Sequence, residues 1–393
     1  MLHVFNRYLL RGGEEMIVEQ MHDDLSKVHP MTWCRFASAE WTGQRAAAVV
    51  PQVARLFYNR GARHRFEAAL DASEAGAALF HNVHPVGSPS LYHAAMQRRL
   101  PVIQFLHNFR PFSVGGTLQA NGKPMLDALY GNYWEEVRAG AWQNSVVKSA
   151  LFALMLLMLH KSGWLESVKA WIVMSDYIKK RLIDAGTLPP TRVHVLRHAW
   201  HAIPKEPTVE DAGYYLFLAR LAAPKGVLPL LDAWDRLRTQ LGDRTPFLHI
   251  AGEGPLEQKV RERMRHNPYI GHLGHITGET KREALRRCRA LMVPSTWWEP
   301  LGLVVYEAYD YLKPVVAAHT GGLGETVQHG VTGLLHEPGN VDGIVRNVLE
   351  MESMPESKRT ELGRAGREWL LREADPQAWL LKFEEIWSGA VSA

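Results

Sequence analysis

The chain has 393 residues, 46% hydrophobic and 22% charged, an ordinary globular composition for about two domains, which excludes a disordered or collagen-like chain. Its two cysteines, Cys34 and Cys288, are far apart and in no metal-ligand spacing; a disulfide framework and a cysteine zinc site are not expected, and a reducing compartment fits. Net charge is +4 but uneven: residues 1–200 hold 22 Lys and Arg against 15 Asp and Glu, the remainder 23 against 26, so the first half can attract an anionic ligand or membrane surface yet lacks the dense basic stripe of a nucleic-acid domain.

The start is not expected to be a signal peptide, because Asn6, Arg7 and Arg11 break its apolar stretch. His3–Asn6 predicts a strand, Gly12-Gly13 a turn, and the residues through Ile17 and Met21 a helix. Ala77–His81 and Val102–His107 predict buried strands with a helix, Leu91–Arg99, between them; Ala170–Val173 and Val193–Leu196 repeat the pattern. Such alternation predicts parallel sheets in an α/β fold. The piece from Gly115 to Leu165 breaks the alternation and reads as a helical insertion. It contains Ala150–Leu159, ten apolar residues between Lys148 and His160. That run is too short for a membrane span; a buried core helix and a helix touching a membrane surface both stay open.

Residues 202–213 have the proline-rich, acidic make-up of a linker. The pattern then restarts: Tyr214–Leu218, a Pro224-Lys225-Gly226 turn, a helix through Leu228, Leu231 and Trp234, then Phe247–Ala251, Leu291–Val293 and Val315–Ala318 as strands. Two α/β domains across a cleft is the economical architecture, with ligands expected at the carboxyl ends of strands. The end, with Trp379, Leu380, Phe383 and Trp387, predicts an amphipathic helix.

The segment 294–339 carries the richest chemistry. Glu299 closes a loop after a strand, and Pro300-Leu301-Gly302 turns the chain into a helix beginning near Leu303, with Glu307 in its second turn. Backbone N–H groups at such a helix start favour an anion such as a diphosphate. One carboxylate at the loop and one inside the helix can hold two hydroxyl clusters joined by it.

The order Glu299-Pro300-Leu301-Gly302-Leu303-Val304, Glu307-Ala308, Pro314-Val315-Val316, Gly321-Gly322-Leu323-Gly324-Glu325 and Gly330-Val331-Thr332-Gly333-Leu334-Leu335 resembles the C-terminal signature of retaining glycosyltransferases of family 4, which have the GT-B fold. The resemblance extends to Phe217–Gly226, similar to that family's entry to its donor domain, with Ala219 in place of the usual glycine. It implies that Arg220 and Lys225 neutralise the donor diphosphate. Gly252-Glu253-Gly254-Pro255 matches a family turn, and Leu273-Gly274-His275 a stretch that borders the nucleobase. Arg11-Gly12-Gly13-Glu14 resembles the glycine-rich loop after the first strand, where glycines let backbone approach a sugar phosphate. Phe105-Leu106-His107-Asn108 resembles the family's strand-end His, with Asn108 where Asp is usual. Leu106–Arg110 and Gly122-Lys123-Pro124 match a subgroup, without its cysteine pair. His81 and His84, after the preceding strand, can line the acceptor pocket with Asn108 and Arg110.

The resemblance therefore implies a GT-B protein of two Rossmann-like domains facing across a cleft. Residues 1–203 would bind acceptor, completed by a helix over 376–393 that crosses back, and 204–375 would bind donor. The expected activity is transfer of a sugar, with retention, from a nucleotide-diphosphate sugar to a glycan or lipid-linked acceptor, in cell-surface polysaccharide synthesis. Glu299 would hold sugar hydroxyls with backbone near Leu301, Gly302 and Leu303, Glu307 the ribose, and His107 the donor sugar. No cofactor or metal is expected, since there is no Asp-x-Asp motif. A cytoplasmic place is expected, with peripheral contact at the inner membrane face open. An epimerase or phosphorylase of the same fold, and a catalytically silent scaffold, are the alternatives.

Overall fold

The computed structural model describes residues 1–9, 12–42, 49–120, 122–203, 207 and 210–392. Arg11 of the glycine-rich motif and positions 204–206 and 208–209 of the connector lie outside them. The chain forms two units, Met1–Ala199 with Gln377–Ala393, and Trp200–Pro376.

The first unit holds strands β1 (Leu2–Arg7), β2 (Thr32–Ala37), β3 (Ala78–Phe80), β4 (Val102–Phe105), β7 (Val168–Val173) and β8 (Val193–Val195), with a small hairpin of β5 (Gln119–Ala120) and β6 (Lys123–Pro124). The six-stranded sheet runs β2-β1-β3-β4-β7-β8 and all its pairings are parallel. β3 and β4 are buried along their whole length, as the near-continuous apolar runs of a covered parallel sheet require. The expected insertion opens with the β5–β6 hairpin before turning helical, so Gly122-Lys123-Pro124 lies at a hairpin tip. Its long helix, Val146–Lys161, buries Phe152, Ala153, Met155, Leu156 and Leu159 and turns Val147 and Leu154 outward. The run Ala150–Leu159 is thus core on one side only. No helix among the described residues is long and apolar enough to cross a membrane.

The last helix, Pro376–Ser392, packs on this first unit. Phe383 is fully buried and stacks on Phe105 with ring centres 6.4 Å apart, and Glu384 pairs with His29 at 2.5 Å.

The second unit holds β9 (Tyr214–Leu218), β10 (Phe247–Ala251), β11 (Ile270–Gly274), β12 (Ala290–Val293), β13 (Val315–Ala318) and β14 (Gly333–His336), in the order β11-β10-β9-β12-β13-β14. Every pairing is again parallel. Counted within the unit this is 3-2-1-4-5-6, the Rossmann order. Tyr215, Phe217, Leu230, Trp234, Ile250 and Met292 meet in its core. Both cysteines are free and buried, and burial pushes each thiol up to about 12.

A helix over Val227–Leu241 starts at Gly226, which has φ +74° and lies so close to the next loop that a Cβ would stand 1.8 Å from the Pro294 carbonyl oxygen. Gly226→Ala should therefore lower stability by more than about 2 kcal/mol, since backbone must shift as well as accept a left-handed residue. Denaturant midpoints read this directly; an unchanged midpoint would show that the two loops are not locked.

Candidate functional site

In an open parallel sheet, ligands bind where strand order reverses, beyond the carboxyl ends of the strands. In the second unit that point lies between β9 and β12. The loop after β9 carries Arg220 and Lys225; the loop after β12 carries Ser295–Gly302. The two are stitched by Thr296 N–H to the Pro224 carbonyl at 2.9 Å.

Glu299 is the best-held side chain there. Lys225 Nζ donates to its two oxygens at 3.0 and 2.7 Å, Ser295 Oγ donates at 3.1 Å, and Trp297 Nε1 at 2.8 Å. Glu299 is 8% exposed, a burial that a carboxylate tolerates only when paired and hydrogen-bonded. The Lys225 ammonium also sits 5.2 Å from the Trp297 ring centre. The loop itself is braced from behind. Gly322 N–H donates to the Glu299 carbonyl at 2.7 Å, and a Cβ on Gly321 would stand 2.3 Å from that same oxygen. This close approach accounts for the Gly321-Gly322 pair.

Gly302, with φ +83°, caps the helix Leu303–Asp310. Glu307, in the second turn, forms an ion pair with Lys281 at 2.6 Å, a charge contact without an aligned hydrogen bond to Oε2. Leu301 is buried beneath the turn. Gly254 lies against the β9 loop, where a Cβ would come 2.5 Å from the Leu221 carbonyl oxygen. Gly274 ends β11 with φ +67°, and its carbonyl accepts from Gly252 N–H at 2.8 Å; His275 beside it is exposed. The Arg220 side chain is exposed and makes no hydrogen bond or ion pair among the described residues. The structure thus gathers Lys225, Glu299, Leu301, Gly302, Leu303 and Glu307 at one reversal point, with Arg220, Gly254, Gly274 and His275 at the neighbouring strand ends.

In the first unit the reversal lies between β1 and β3. Gly12 and Gly13 follow β1 and open the helix Gly13–Ser26. Gly12 is extended, at φ −133° and ψ −177°, and a Cβ there would meet nothing within 4 Å. The fold does not need glycine at that position, so its bareness leaves room rather than relieving strain. His81, His84, His107, Asn108 and Arg110 line one small cavity of about 10 Å³, the space of one water. His84 is fully enclosed, with both ring nitrogens unpartnered, and burial lowers its pKa to about 3. Arg110 donates to the Val114 carbonyl at 3.1 Å and lies 5.5 Å over the Phe152 ring. Asn108 reaches the Tyr8 hydroxyl at 3.1 Å, and that hydroxyl donates to Glu14 at 2.8 Å.

Several of these partners carry no sequence signal of their own. Ser295 and Trp297 stand within the quoted signature but not as holders of Glu299. Lys281 lies on a separate amphipathic helix. Tyr8, His3, His22 and His198 become visible only when the first sheet is assembled, and Glu14, part of the glycine-rich motif, shows its partners only there. Among the described residues no group of three His, Cys, Asp or Glu side chains is placed to hold a metal ion.

Burial raises the Glu14 carboxyl to about 7, against the opposing pull of the Tyr8 and Asn108 hydrogen bonds. Between pH 4.5 and 7 the folded chain then binds a proton that the unfolded chain does not, so stability falls as pH rises through that window. The loss amounts to about 3 kcal/mol by pH 8. Glu14→Gln should remove it, unfolding at higher denaturant than wild type at pH 8 and at a similar concentration at pH 4. A variant no more stable at pH 8 would refute the raised pKa.

Residues 199–369 match the family model described as glycosyl transferases group 1. Over 161 residues the chain is 32% identical to an uncharacterized glycosyltransferase of Methanocaldococcus jannaschii, covering 40% of this chain and 43% of that protein. Over 268 residues it is 30% identical to a glycogen synthase of Mycobacterium tuberculosis, covering 65% and 60%. The chain therefore spans about half the length of these relatives. Among solved structures, the Anabaena protein HepE in complex with UDP-glucose superposes with a TM-score of 0.67 over 99% of both chains at 16% identity. The fold is GT-B.

Proposed function

We propose that this chain, whose residues 199–369 belong to the group 1 glycosyl transferases, moves a glycosyl group from a nucleotide-diphosphate sugar to an acceptor hydroxyl, with retention and without a metal ion. One observation carries the reading: Lys225 and Glu299 are held together at the strand-order reversal of the second sheet, where α/β sheets bind nucleotides.

Each group has a task that its surroundings suit. Lys225 and the unpaired Arg220 supply fixed positive charge where the diphosphate leaves, and such preorganised charge is the largest lever on a developing anion. The N–H groups of Leu301, Gly302 and Leu303, at the start of a helix, add to it. Glu299 accepts from sugar hydroxyls, its orientation set by Ser295 and Trp297. Glu307, paired with Lys281, receives the ribose, while Gly254, Gly274 and His275 border the nucleoside. In the first unit, Gly12 and Gly13 offer bare backbone to a sugar phosphate. His107 is assigned to the sugar and His84, Asn108 and Arg110 to the acceptor; His81, buried with both ring nitrogens bonded to His3 and His107, is assigned to the acceptor side through His107. The acceptor is a glycan or a lipid-linked glycan of cell-surface polysaccharide synthesis, approached from the cytoplasm. The basic charge of residues 1–200 favours an anionic acceptor or membrane face.

A thermal-shift series with UDP, GDP, ADP and their sugars, with and without EDTA, tests the donor half. A nucleotide at 100 times its Kd should add about 2.7 kcal/mol, and EDTA should leave the shift unchanged. Loss of the shift with EDTA would overturn the metal-free reading, and no shift with any nucleotide would overturn the donor site. Glu299→Ala should lower turnover roughly 100-fold or more, the scale of one transition-state contact. Full activity in that variant would remove Glu299 from the site. The anomeric configuration of the product, read by NMR, decides retention.

A further inference from the structure

The two carboxylates at the reversal point of the second sheet are held in opposite ways. Glu299 accepts from Lys225, Ser295 and Trp297, so little of its acceptor capacity is left. Glu307 accepts no hydrogen bond from any described residue. Yet its side chain is only 12% exposed and its Oε2 is enclosed. A carboxylate at that depth is ordinarily hydrogen-bonded. The Lys281 ammonium faces it, 2.6 Å from Oε2, but the contact is bent out of hydrogen-bond geometry. Lys281 therefore brings charge and keeps its donors: its ammonium, too, makes no hydrogen bond among the described residues.

Lys281 also stands where its own helix opposes it. It lies in the first turn of the helix Gly278–Arg287, the positive end of the helix dipole, where a cation is disfavoured. Glu279, in the same turn, pairs with Arg282 at 2.7 Å and leaves Lys281 to the carboxylate of another helix, Leu303–Asp310. The first of these helices follows β11, whose end carries Gly274 and His275; the second follows the loop after β12. The pair thus ties the strand end assigned to the nucleoside to the helix whose start is assigned to the diphosphate.

We propose that Lys281 is a specificity-determining residue of the donor site, which selects a ribose together with Glu307. This rests on the transfer reading above and adds to it a second contact and a rule of selection. A sugar hydroxyl both donates and accepts, whereas a carboxylate only accepts and an ammonium only donates. Side by side, the unused acceptors of Glu307 and the unused donors of Lys281 match one hydroxyl from both directions: it donates to the carboxylate and accepts from the ammonium. With hydrogen in place of that hydroxyl, both groups stay shielded from water without a partner. A site built to hydrogen-bond a hydroxyl rejects the analogue lacking it for this reason. Lys281 is not needed to neutralise the diphosphate, a task for which Arg220 and Lys225 are placed.

The test uses the whole protein and two ligands that differ only at the sugar. One is the tightest binder among UDP, GDP and ADP; the other is its 2′,3′-dideoxy counterpart. Calorimetry gives the Kd of each. Wild type should prefer the ribonucleotide by at least about 30-fold, the scale of hydrogen bonds to two charged groups. Lys281→Met removes one of the two and should cut the preference to about 10-fold or less. A lysine that only braced the fold would weaken both ligands alike. An unchanged ratio in Lys281→Met would therefore overturn the proposal, as would a wild type that binds both nucleotides equally. Lys281→Met leaves Glu307 without its counter-charge, so a second variant combines it with Glu307→Gln. Neutral at both positions, it should bind the two nucleotides equally; a preference as large as that of wild type would again overturn the pair. A wild type that binds none of the three ribonucleotides would instead reject the donor site itself, and the pair with it.

Discussion

At the reversal point of the second sheet, main chain touches main chain. Gly226 abuts the Pro294 carbonyl, Gly254 the Leu221 carbonyl, and Gly321 and Gly322 the carbonyls of Glu299 and Pro300. Contacts of this kind leave no side chain to rearrange, so the loops that follow β9, β10, β12 and β13 are set by backbone sterics together with the main-chain hydrogen bonds between them. The Lys225–Glu299 pair is placed by them. A long, entropically free lysine is an unreliable partner at a surface; here its root is pinned by the turn that Gly226 allows, and the carboxylate is fixed by three separate donors. The charge is thus preorganised before any ligand arrives, which is the condition under which fixed charge is effective in catalysis.

The first unit solves its site differently. Its reversal point holds few fixed charges and many buried neutral dipoles: an imidazole line from His22 through His3 and His81 to His107, Asn108, Tyr8 and a carboxyl that burial brings near neutrality. Buried polar networks are costly when half satisfied and rigid when complete. This one is not complete: both ring nitrogens of His84, Glu14 Oε1 and His198 Nδ1 are buried without a partner among the described residues, and His84 borders the same small cavity as His107. One unit therefore presents charge held by backbone, the other presents hydrogen-bonding groups held by one another.

Much of this was legible from the order of residues. The parallel sheets follow from short apolar runs such as Val102–Phe105 and Val315–Ala318, which have no polar face to show. The second site follows from glycines whose spacing is dictated by close backbone contact, so its signature survives as a linear pattern. Other features left no such mark. β2, Thr32–Ala37, is an edge strand with Arg35 facing outward, and its mixed alternation does not separate it from a loop. Lys281 meets Glu307 from another helix, and nothing at either position points to the other. The imidazole line draws on four elements between positions 3 and 107, brought together only by the strand order β2-β1-β3-β4. Pairings set by sheet topology have no local periodicity, which is why His81 reads as a pocket residue and His3 only as the start of a strand. The insertion reads as helical because its apolar run dominates; the two-residue strands of its hairpin are too short to register.

The helix that completes the first unit is made only after the whole of the second. On a ribosome, Phe105 and its neighbours emerge early, yet the ring that covers them belongs to Phe383. The whole of Trp200–Pro376 has to be synthesised in between, roughly 10–40 s at ordinary elongation rates. For that interval the early unit is a nascent fold with an uncovered apolar seam, while the later unit, contiguous in the chain, can close as it emerges. The order of synthesis and the order of completion are therefore reversed. Factors that shield exposed hydrocarbon on nascent chains would have their longest dwell on the half made first.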